Sequence, residues 1–559
     1  MKNLRSSLYF IPLFYCVSCF FSCSRTEKKN ADFLFYNARV YTVDSTFTVC
    51  EAFVVSDGKI VETGTKNQLS AKFEAKQRID LKGNFVYPGF IDAHCHFYNY
   101  GLGLSEVDLV GTKSFEDVLN KLKMYAETNP DKKWIIGRGW DQNDWDDKNF
   151  PTKEILDQLF PEIPVLLMRV DGHAALVNQK ALRVSGITSS SAVEGGEFIK
   201  EKGELSGLLI DNAIDLVRKN IPPAQKDEMT HGLLLAQANC FAAGLTTVDD
   251  AGLDKDVILH MNDLQREGKL KMRVYAMASA SDSNFDYFMK NGQLKTDRLN
   301  VRSFKFYADG ALGSRGACLT HDYKDKKGWK GFLLMPETYF REYAKKMLNL
   351  GFQMNTHCIG DSSDRLITDI YIQTLSETNA NADSEILSNY RWRIEHAQVV
   401  TETDLHKFKY LIPSVQPTHA TSDMYWAYNR LGDRVKTAYA YKQLLNKSGL
   451  LALGTDFPVE DISPIKTFYA AVVRKDKNGF PKDGFQIENA ISRPDAIRGM
   501  TIWAAYSNFE EKEKGSIEKG KFADFIVLDK DLLKIPEKEI LSVRVLKTFV
   551  NAEEVFSAN

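Results

Sequence analysis

Cysteine is scarce in this chain, and the shortage excludes one class of fold. Eight cysteines occur in 559 residues, too few for a small domain held together by disulfides. An excess of charge of one sign is also missing, because 72 Lys and Arg are balanced by 74 Asp and Glu for a formal net charge of −2. Nucleic-acid-binding proteins usually show their basic patch in such totals. We therefore expect no nucleic-acid partner.

Repeats of fixed period, heptad runs and low-complexity blocks are absent as well. Hydrophobic residues make up 44% of the chain and charged residues 26%, which is typical of a globular protein and excludes global disorder. At roughly 100–200 residues per domain, the length predicts one large domain with smaller satellites.

Long hydrophobic runs are missing except at the N-terminus. The run Leu8–Phe21 has 14 residues, whereas a membrane-spanning helix needs about 20. It follows the positive residues Lys2 and Arg5, which is the pattern of a signal peptide. We predict a signal peptide over residues 1–22, and no other segment is long and apolar enough to cross a membrane.

The hydrophobic run ends at a cysteine and turns polar at once. The sequence Phe20-Phe21-Ser22-Cys23 resembles a relaxed bacterial lipobox, with Cys23 as the lipidated residue. Cys19 is a weaker alternative, and a simple secretory peptide with an incidental cysteine is another. The expectation is an exported bacterial lipoprotein, periplasmic or on the cell surface, whose polar tether 23–30 joins a membrane anchor to the folded part.

Both ends of the remaining chain have strand-like patterns. From 31 to 87 apolar runs alternate with turn signals, and Asp57-Gly58 between two such runs predicts a hairpin. Strand-like runs recur near the C-terminus, at 523–529 and 543–556. Because chain termini often lie close together, we predict one small β-sandwich domain built from 31–87 and 501–559.

Between these ends the pattern is α/β. Apolar strand-like runs separated by helix-like stretches predict a (β/α)8 TIM-like barrel over 88–500. The gap after the first run is too long for one crossover and predicts an insertion at about 100–240. The runs are 85–94, 245–250, 271–277, 301–309, 352–358, 392–397, 411–417 and 450–457.

Two histidines end the first predicted barrel strand. In Asp92-Ala93-His94-Cys95-His96, alternation along a strand places His94 and His96 on one face together with Asp92. Two imidazoles at this spacing can hold one metal ion, although a single His-x-His pair is weak evidence. Cys95 faces the other way and is interpreted as packing.

Lys305 lies in the middle of a predicted barrel strand. Alternation turns Lys305 and Tyr307 toward the barrel interior and Phe304 and Phe306 toward the helices. A buried lysine is costly unless it is compensated. Carboxylation by CO₂ would give an anionic carbamate able to bridge two metals, whereas the simpler interpretation is a lysine that reaches solvent or pairs with an acid.

Three further strand ends carry a histidine or an acid. His357 and His396 each end an apolar run, and Asp456 ends the last one. A lone histidine in this position is more often structural, and Asp456 could serve as a helix N-cap. Taken together, these residues suit one or two divalent metal ions, of which zinc is the best match.

The order His-x-His, Lys, His, His, Asp resembles the amidohydrolase superfamily. Flanking segments are similar to amidohydrolase family 3, especially to members related to N-substituted formamide deformylase, and the similarity runs from about 31 to 556. These segments are PGFIDAHCH, GRGWDQNDW, DGHAALVN, FYADGALGSR, HCIGD, RIEHAQ, VQPTHA and GTDFPV. The resemblance implies a metal-bearing barrel with a small β domain formed by both ends of the chain.

The resemblance also implies an activity and roles for the residues. The expected reaction is hydrolysis of a non-peptide C–N bond in a small-molecule amide, formamide or cyclic amide. His94, His96 and Asp456 would hold one metal, while His357 and His396 would hold a second, with carboxylated Lys305 as the bridge. Asp456 would also act as the catalytic base.

Other residues are candidates for binding the substrate, with surface or packing roles as the alternative for each. They are Trp140, His173, Arg315, Gln416 and His419. A deaminase-like hydrolase with one metal and uncarboxylated Lys305 is the alternative enzyme. A catalytically inactive, lipid-anchored binding protein is the alternative outside enzymes. Homodimerisation is left open.

Overall fold

Eight parallel strands form the centre of the molecule. The computed structural model describes residues 28–377 and 387–558. In chain order the strands are Phe90–Cys95 (β1), Leu245–Leu253 (β2), Arg273–Ser279 (β3), Leu299–Tyr307 (β4), Gln353–Cys358 (β5), Arg393–His396 (β6), Ile412–Val415 (β7) and Ala452–Leu453 (β8). Each strand pairs with the next one along the chain. Just after β8, the amide of Asp456 donates to the carbonyl of His94 in β1 at 2.7 Å, which brings the last strand beside the first.

Helices surround the strands and bury their apolar faces against them. The helix Glu337–Leu350 is representative, because Phe340, Ala344 and Met347 recur at helical spacing and are buried. This helix ends at Gly351, whose left-handed φ of 71° suits a residue without a side chain. The other helices of this layer are Lys226–Ala242, Lys255–Arg266, Asp282–Asn291, Asp361–Glu377, Tyr441–Ser448, Pro464–Val473 and Arg493–Gly499.

The predicted alternation of faces in β4 agrees with the structure. Phe304 packs against Phe285 of a surrounding helix with ring centroids 4.8 Å apart, and Phe306 belongs to the same apolar cluster. Lys305 points the other way and lines a cavity. The alternating pattern therefore separates the packing residues of this strand from its polar residues.

A separate sheet lies between β1 and β2 in the chain. It has six strands and its own apolar cluster, which includes Trp140 and Leu167. In spatial order the strands are Gly196–Glu201, Glu204–Asp211, Ala174–Val177, Val165–Arg169, Ile135–Trp140 and Val107–Asp108. The helices of this segment are Phe97–Gly103, Phe115–Thr128, Glu154–Leu159, Gln179–Val184 and Asn212–Arg218.

Two further sheets use the ends of the chain, the first from N-terminal strands alone and the second from strands of both ends. One contains Lys29–Tyr36, Ala52–Ser56, Lys59–Gly64 and Phe73–Asp80. The other contains Arg39–Tyr41, Val49–Cys50, Phe85–Pro88, Phe525–Leu528, Val545–Val550 and Glu553–Ser557. Phe35 from the first sheet contacts Phe525 from the second with centroids 4.9 Å apart, so aromatic side chains fill the space between the sheets.

The predicted hairpin is present at its turn. Asp57 and Gly58 connect two antiparallel strands, and both have positive φ, 51° and 69°. Two consecutive positive φ values are those of the type I′ turn that matches strand twist, which explains the Asp-Gly pair. The fold class predicted from the sequence is thus confirmed, with a barrel, an inserted sheet and a two-part β domain.

The element boundaries differ from the predicted ranges at two places. The N-terminal strand Lys29–Tyr36 begins within the predicted tether 23–30, because Lys29 and Asn30 extend its pairing with the strand Phe73–Asp80. The helix Ile502–Ser507 packs on the barrel, since Ala504 and Ala505 share an apolar cluster with Ile91 of β1. The barrel unit therefore extends beyond the predicted boundary at 501.

The predicted signal peptide and Cys23 lie outside the described residues. Within 28–377 and 387–558, no helix has the length and apolar character that crossing a bilayer requires. The cysteines in this part of the chain, Cys50, Cys95, Cys240, Cys318 and Cys358, are all free thiols.

Candidate metal centre

The carboxyl ends of the barrel strands bring the predicted ligands to one place. His94 comes from β1, Lys305 from β4, His357 from β5 and His396 from β6, while Asp456 follows β8. All five are buried, between 0% and 5% exposed. Their convergence follows from parallel strands, whose carboxyl ends meet at one mouth of a barrel.

His94 is held in one orientation by a carboxylate. Its Nδ1 donates to Glu395 Oε2 at 2.5 Å, so the lone pair of Nε2 faces the centre of the site. Nε2 lies 3.1 Å from Lys305 Nζ and 3.7 Å from Asp456 Oδ1. Burial and the charge of Lys305 lower the pKa of His94 to about 4. The imidazole is therefore neutral at pH 7, as a metal ligand must be.

His396 has a similar arrangement with a neutral partner. Its Nδ1 donates to Gln416 Oε1 at 2.8 Å, and its ring lies 4.9 Å from that of His94 and 4.4 Å from that of His357. Burial lowers the pKa of both His396 and His357 well below the ordinary value. Three neutral, buried imidazoles thus meet at the barrel mouth.

A left-handed residue explains how two neighbours reach the same site. Alternation along β6 would turn Glu395 and His396 to opposite faces, yet Glu395 binds His94 and the ring of His396 lies beside that of His94. The φ of His396 is 72°, and Asp456 has a φ of 63°. Such backbone is unfavourable for residues with a side chain and is concentrated at functional sites.

Asp456 presents one oxygen to the site and uses the other to bind a histidine. Oδ2 accepts from His419 Nε2 at 3.3 Å, whereas buried Oδ1 has no hydrogen-bond partner in the described chain and lies 3.2 Å from His96 Nε2. Burial opposes ionisation, but His419 and His96 hold the pKa of Asp456 well below its ordinary value. Asp456 is therefore an anion at neutral pH.

Lys305 is buried without a carboxylate partner among the described residues. Its Nζ contacts His94 Nε2 and lies 4.8 Å from the centre of the Tyr307 ring. Burial lowers the pKa of the amine to about 8, although Glu395 and Asp456 act in the opposite direction. Because the side chain is 1% exposed, the simpler interpretation of a lysine that reaches solvent is wrong.

The residues fit a divalent metal ion. Single ligand atoms of His94, His396 and Asp456 all lie within 4.8 Å of one another. Two buried atoms without hydrogen-bond partners in the described chain, His357 Nε2 and Asp456 Oδ1, also lie here. Imidazole nitrogens and a carboxylate suit zinc and related ions. The compact group contains His396, which the sequence analysis assigned to a second ion, and not His96.

Two adjoining cavities open from this centre. Their volumes are about 230 and 640 Å³. They share six lining residues, which are His96, Asp171, His173, Lys305, Tyr307 and Val459. A small molecule in either cavity would therefore contact the site that the strand ends create.

Comparison with known proteins identifies the family. The model of the amidohydrolase family matches residues 77–556. The chain belongs to the amidohydrolase family. This amidohydrolase is 30% identical to the putative amidohydrolase YtcJ of Bacillus subtilis over 94% of its own length and 99% of that protein. It is 24% identical to N-substituted formamide deformylase of Arthrobacter pascens, over 93% of this chain and 97% of the relative.

A solved structure has the same architecture over almost its whole length. An uncharacterized metal-dependent hydrolase from Pyrococcus horikoshii superposes with a TM-score of 0.73 at 27% identity, covering 90% of this chain and 99% of that one. Family membership, together with the His and Asp cluster, supports a metal-dependent hydrolase that uses a divalent ion.

Two predicted substrate contacts of the amidohydrolase line the smaller cavity. His173 Nδ1 is bonded to Asp211 Oδ1 at 2.6 Å, and Asp211 raises the pKa of His173 despite its burial. His419 bonds both Asp456 and Glu460, and these carboxylates raise its pKa well above the ordinary value although burial opposes this. His419 therefore carries positive charge beside the centre, and Asp211 favours the protonated form of His173.

Three other predicted contacts have different positions. Trp140 is 1% exposed, and its indole Nε1 donates to the carbonyl of Leu167 at 2.8 Å within the core of the inserted sheet. Arg315 is paired with Asp325 at 3.0 Å. Gln416 holds His396. None of the three lines either cavity, so their assignment as direct substrate contacts is corrected.

The sequence analysis missed the residues that hold the ligands in place. Glu395, which orients His94, is itself bound by the buried guanidinium of Arg393, whose Nε donates to Oε1 at 2.7 Å. Arg393 also pairs with Asp249 at 2.9 Å. The charge of Arg393 and the hydrogen bond from His94 lower the pKa of Glu395 despite complete burial. One sequence feature could have predicted this role, because Glu395 is an acid within a buried strand and directly precedes His396.

Proposed function

We propose that the protein hydrolyses a non-peptide C–N bond in an amide, a formamide or a cyclic amide. The observation that carries the proposal is Asp456, a buried carboxylate whose Oδ1 forms no hydrogen bond within the described chain and lies among metal-type ligands at the barrel mouth. The similarity to a relative named N-substituted formamide deformylase supports the bond type.

His94, His396 and Asp456, with His96 beside them, would hold the first ion. His357 would contribute to a second, and carboxylated Lys305 would bridge the two. When bound, such ions polarise the substrate carbonyl and acidify the attacking water. Zinc is the expected metal, because the ligand set is rich in imidazole.

The protein's own residues divide the proton transfers. Oδ1 of Asp456 accepts the proton of the attacking water and delivers it to the leaving nitrogen. Oδ2 stays bound to His419, which fixes the carboxylate and keeps it ionised until the water is deprotonated. His173 lines both cavities, and Asp211 favours its protonated form, so it would donate a hydrogen bond to an oxygen of the substrate.

Metal removal is the direct test of this proposal. We expect chelation to abolish hydrolysis in a screen of amides, formamides and cyclic ureas, and added Zn²⁺ to restore it. Full activity in a preparation that has been shown to hold no metal would contradict the mechanism. Failure of every substrate in the presence of tightly bound metal would favour the binding-protein alternative.

A one-ion enzyme is the second candidate, and one observation favours it. The compact group of His94, His396 and Asp456 is sufficient for a single ion. Metal analysis separates the candidates, since one ion per chain supports the mononuclear form and two support the bridged form.

Lys305→Ala tests the bridge itself. The variant should lose most metal and activity if the carbamate binds both ions, and a short-chain carboxylic acid should partly restore both. Lys305→Arg should not substitute, because a guanidinium cannot become an anionic ligand. Wild-type metal content and activity in Lys305→Ala would show that the bridge is wrong.

A further inference from the structure

The larger cavity contains an arginine without a counterion. Arg138 lies on the inserted strand Ile135–Trp140 and lines this cavity together with His96 and Lys305 of the metal centre. Its Nη2 donates to the carbonyl of Val170 at 3.0 Å, while its buried Nε has no hydrogen-bond partner among the described residues. Within the described chain, Arg138 forms no ion pair. A cation in this position keeps donor capacity that the protein itself does not use.

A second cation lines the same cavity. Arg218, an exposed residue, ends the helix Asn212–Arg218, and its Nη2 donates a weak bond to Met168 Sδ at 3.5 Å. It also forms no ion pair with a described residue. Arg218 is close enough that its charge opposes that of Arg138. Two like charges that face one cavity favour an anion between them.

The acids around the cavity do not neutralise these arginines. Asp456, Asp171 and Glu106 attract Arg138 electrostatically, but none of them forms an ion pair with it in the described chain. Four aspartates line the cavity. Asp171 binds Arg169 at 2.5 Å, and Asp211 binds His173 at 2.6 Å. The other two, Asp215 and Asp282, are exposed. Asp215 attracts Arg218, so the cation that stays unpaired beside the metal centre is the guanidinium of Arg138.

We propose that this cavity binds a carboxylate group of the substrate through the guanidinium of Arg138, with Arg218 adding positive charge. A partly buried cation gains most from an anionic partner, and the planar guanidinium matches a carboxylate with two parallel hydrogen bonds. The inference rests on the proposed amide hydrolysis and narrows its substrates to amides that carry a carboxylate near the scissile C–N bond.

Matched probes test the subsite without requiring turnover. Calorimetry on the metal-loaded protein would compare succinamate with succinamide and N-acetylglycine with N-acetylglycinamide, pairs that differ in one carboxylate. We expect wild type to bind the charged member about tenfold more tightly or better, as for a charge-assisted hydrogen bond. Arg138→Gln should bind both members about equally, with unchanged metal content and melting temperature. Arg544→Gln, which removes the same charge at an exposed site paired with Asp529, should keep the preference.

The outcomes separate this subsite from the proposed reaction. Equal binding of both members by wild type, or binding of neither, would overturn the inference. An undiminished preference in Arg138→Gln would also overturn it, because the carboxylate would then be held by the metal or by other residues. A preference that depends on Arg138 in a protein that hydrolyses no amide would leave the subsite intact and contradict the proposed function instead.

Discussion

Asp456 has two duties in the proposed mechanism, as a metal ligand and as a base, and a conservative change separates them. Asp456→Asn keeps the shape and one oxygen but removes the proton acceptor, and general-base catalysis contributes roughly 10²–10⁴ in rate. We expect kcat on the best amide from the screen to fall at least that far. Metal content should fall less, because His94 and His396 remain. Parallel kinetics and metal analysis measure both.

Two further variants sharpen this test. Asp456→Glu should also have a much reduced kcat, since one additional methylene displaces the carboxylate by about 1 Å, and catalysis is sensitive to a displacement of that size. His94→Ala should lose metal and rate together. If Asp456 were only a helix cap, Asn would replace it nearly as well, and kcat within a few-fold of wild type would decide for the cap.

Glu395 offers a prediction about orientation. Its carboxylate binds His94 Nδ1 at 2.5 Å and fixes which nitrogen faces the metal. Glu395→Gln should weaken zinc affinity by about 10–100-fold, as losses of such supporting groups typically do. Competition with a chromophoric chelator measures that affinity. Unchanged affinity would mean that His94 is oriented without the carboxylate.

A stability control accompanies this variant. Buried Arg393 would lose one of its two carboxylate partners in Glu395→Gln, while Asp249 would remain. The melting temperature of the metal-free protein should therefore fall moderately. Wild type can be partly unfolded until its unfolded fraction equals that of Glu395→Gln. If this wild-type sample loses the same zinc affinity, the variant has a folding defect and Glu395 has no positioning role.

At the scale of elements, one buried ion pair joins the β domain to the barrel. Arg273 of β3 binds Asp524, which precedes the strand Phe525–Leu528, through Nε at 2.5 Å and Nη2 at 3.0 Å. Arg273→Met leaves this carboxylate buried without its cation, a loss of about 3–5 kcal/mol. Thermal unfolding should show it. Arg544→Met is the matched control, since its exposed pair with Asp529 is worth about 1 kcal/mol or less.

The same ion pair makes stability depend on pH in a defined direction. Burial opposes ionisation of Asp524, but Arg273 lowers its pKa in the folded protein. A carboxyl whose folded pKa is depressed contributes stability above its unfolded pKa, about 3.9, and loses the contribution as pH falls through the folded value. The difference in melting temperature between wild type and Arg273→Met should narrow below about pH 4. If the difference in melting temperature stays constant below about pH 4, the Arg273–Asp524 pair is not the source of the pH dependence.

For the whole molecule, the open question is its attachment to a membrane. We propose that Cys23 carries a lipid anchor, as the Phe20-Phe21-Ser22-Cys23 sequence predicts. Stable anchoring takes more than one acyl chain, and wild type should therefore sediment with membranes. Cys23→Ser should appear in the soluble fraction or remain unprocessed. Wild type found wholly in the soluble fraction would contradict the anchor, and Cys19→Ser tests the alternative cysteine.

Local pattern was sufficient to predict the barrel and the residue types of its centre. Alternation in β4 separates Lys305 from Phe304 and Phe306, and the structure has this arrangement. Parallel strands end at one mouth, so polar residues at successive strand ends must meet. The candidate ligands that meet at the centre were therefore readable from which residues end the strands.

The partners of those residues were decided by the tertiary structure. Glu395 and His94 are 301 positions apart, and only closure of the barrel brings them together. Trp140 was predicted near the substrate, but packing of the inserted sheet buries it, because an indole gains more from an apolar core. The place of His396 depends on a left-handed backbone angle that alternation cannot specify. Sequence by itself determined the elements and the kinds of ligand; tertiary structure decided which groups touch, because contacts between distant residues depend on how strands close and sheets pack.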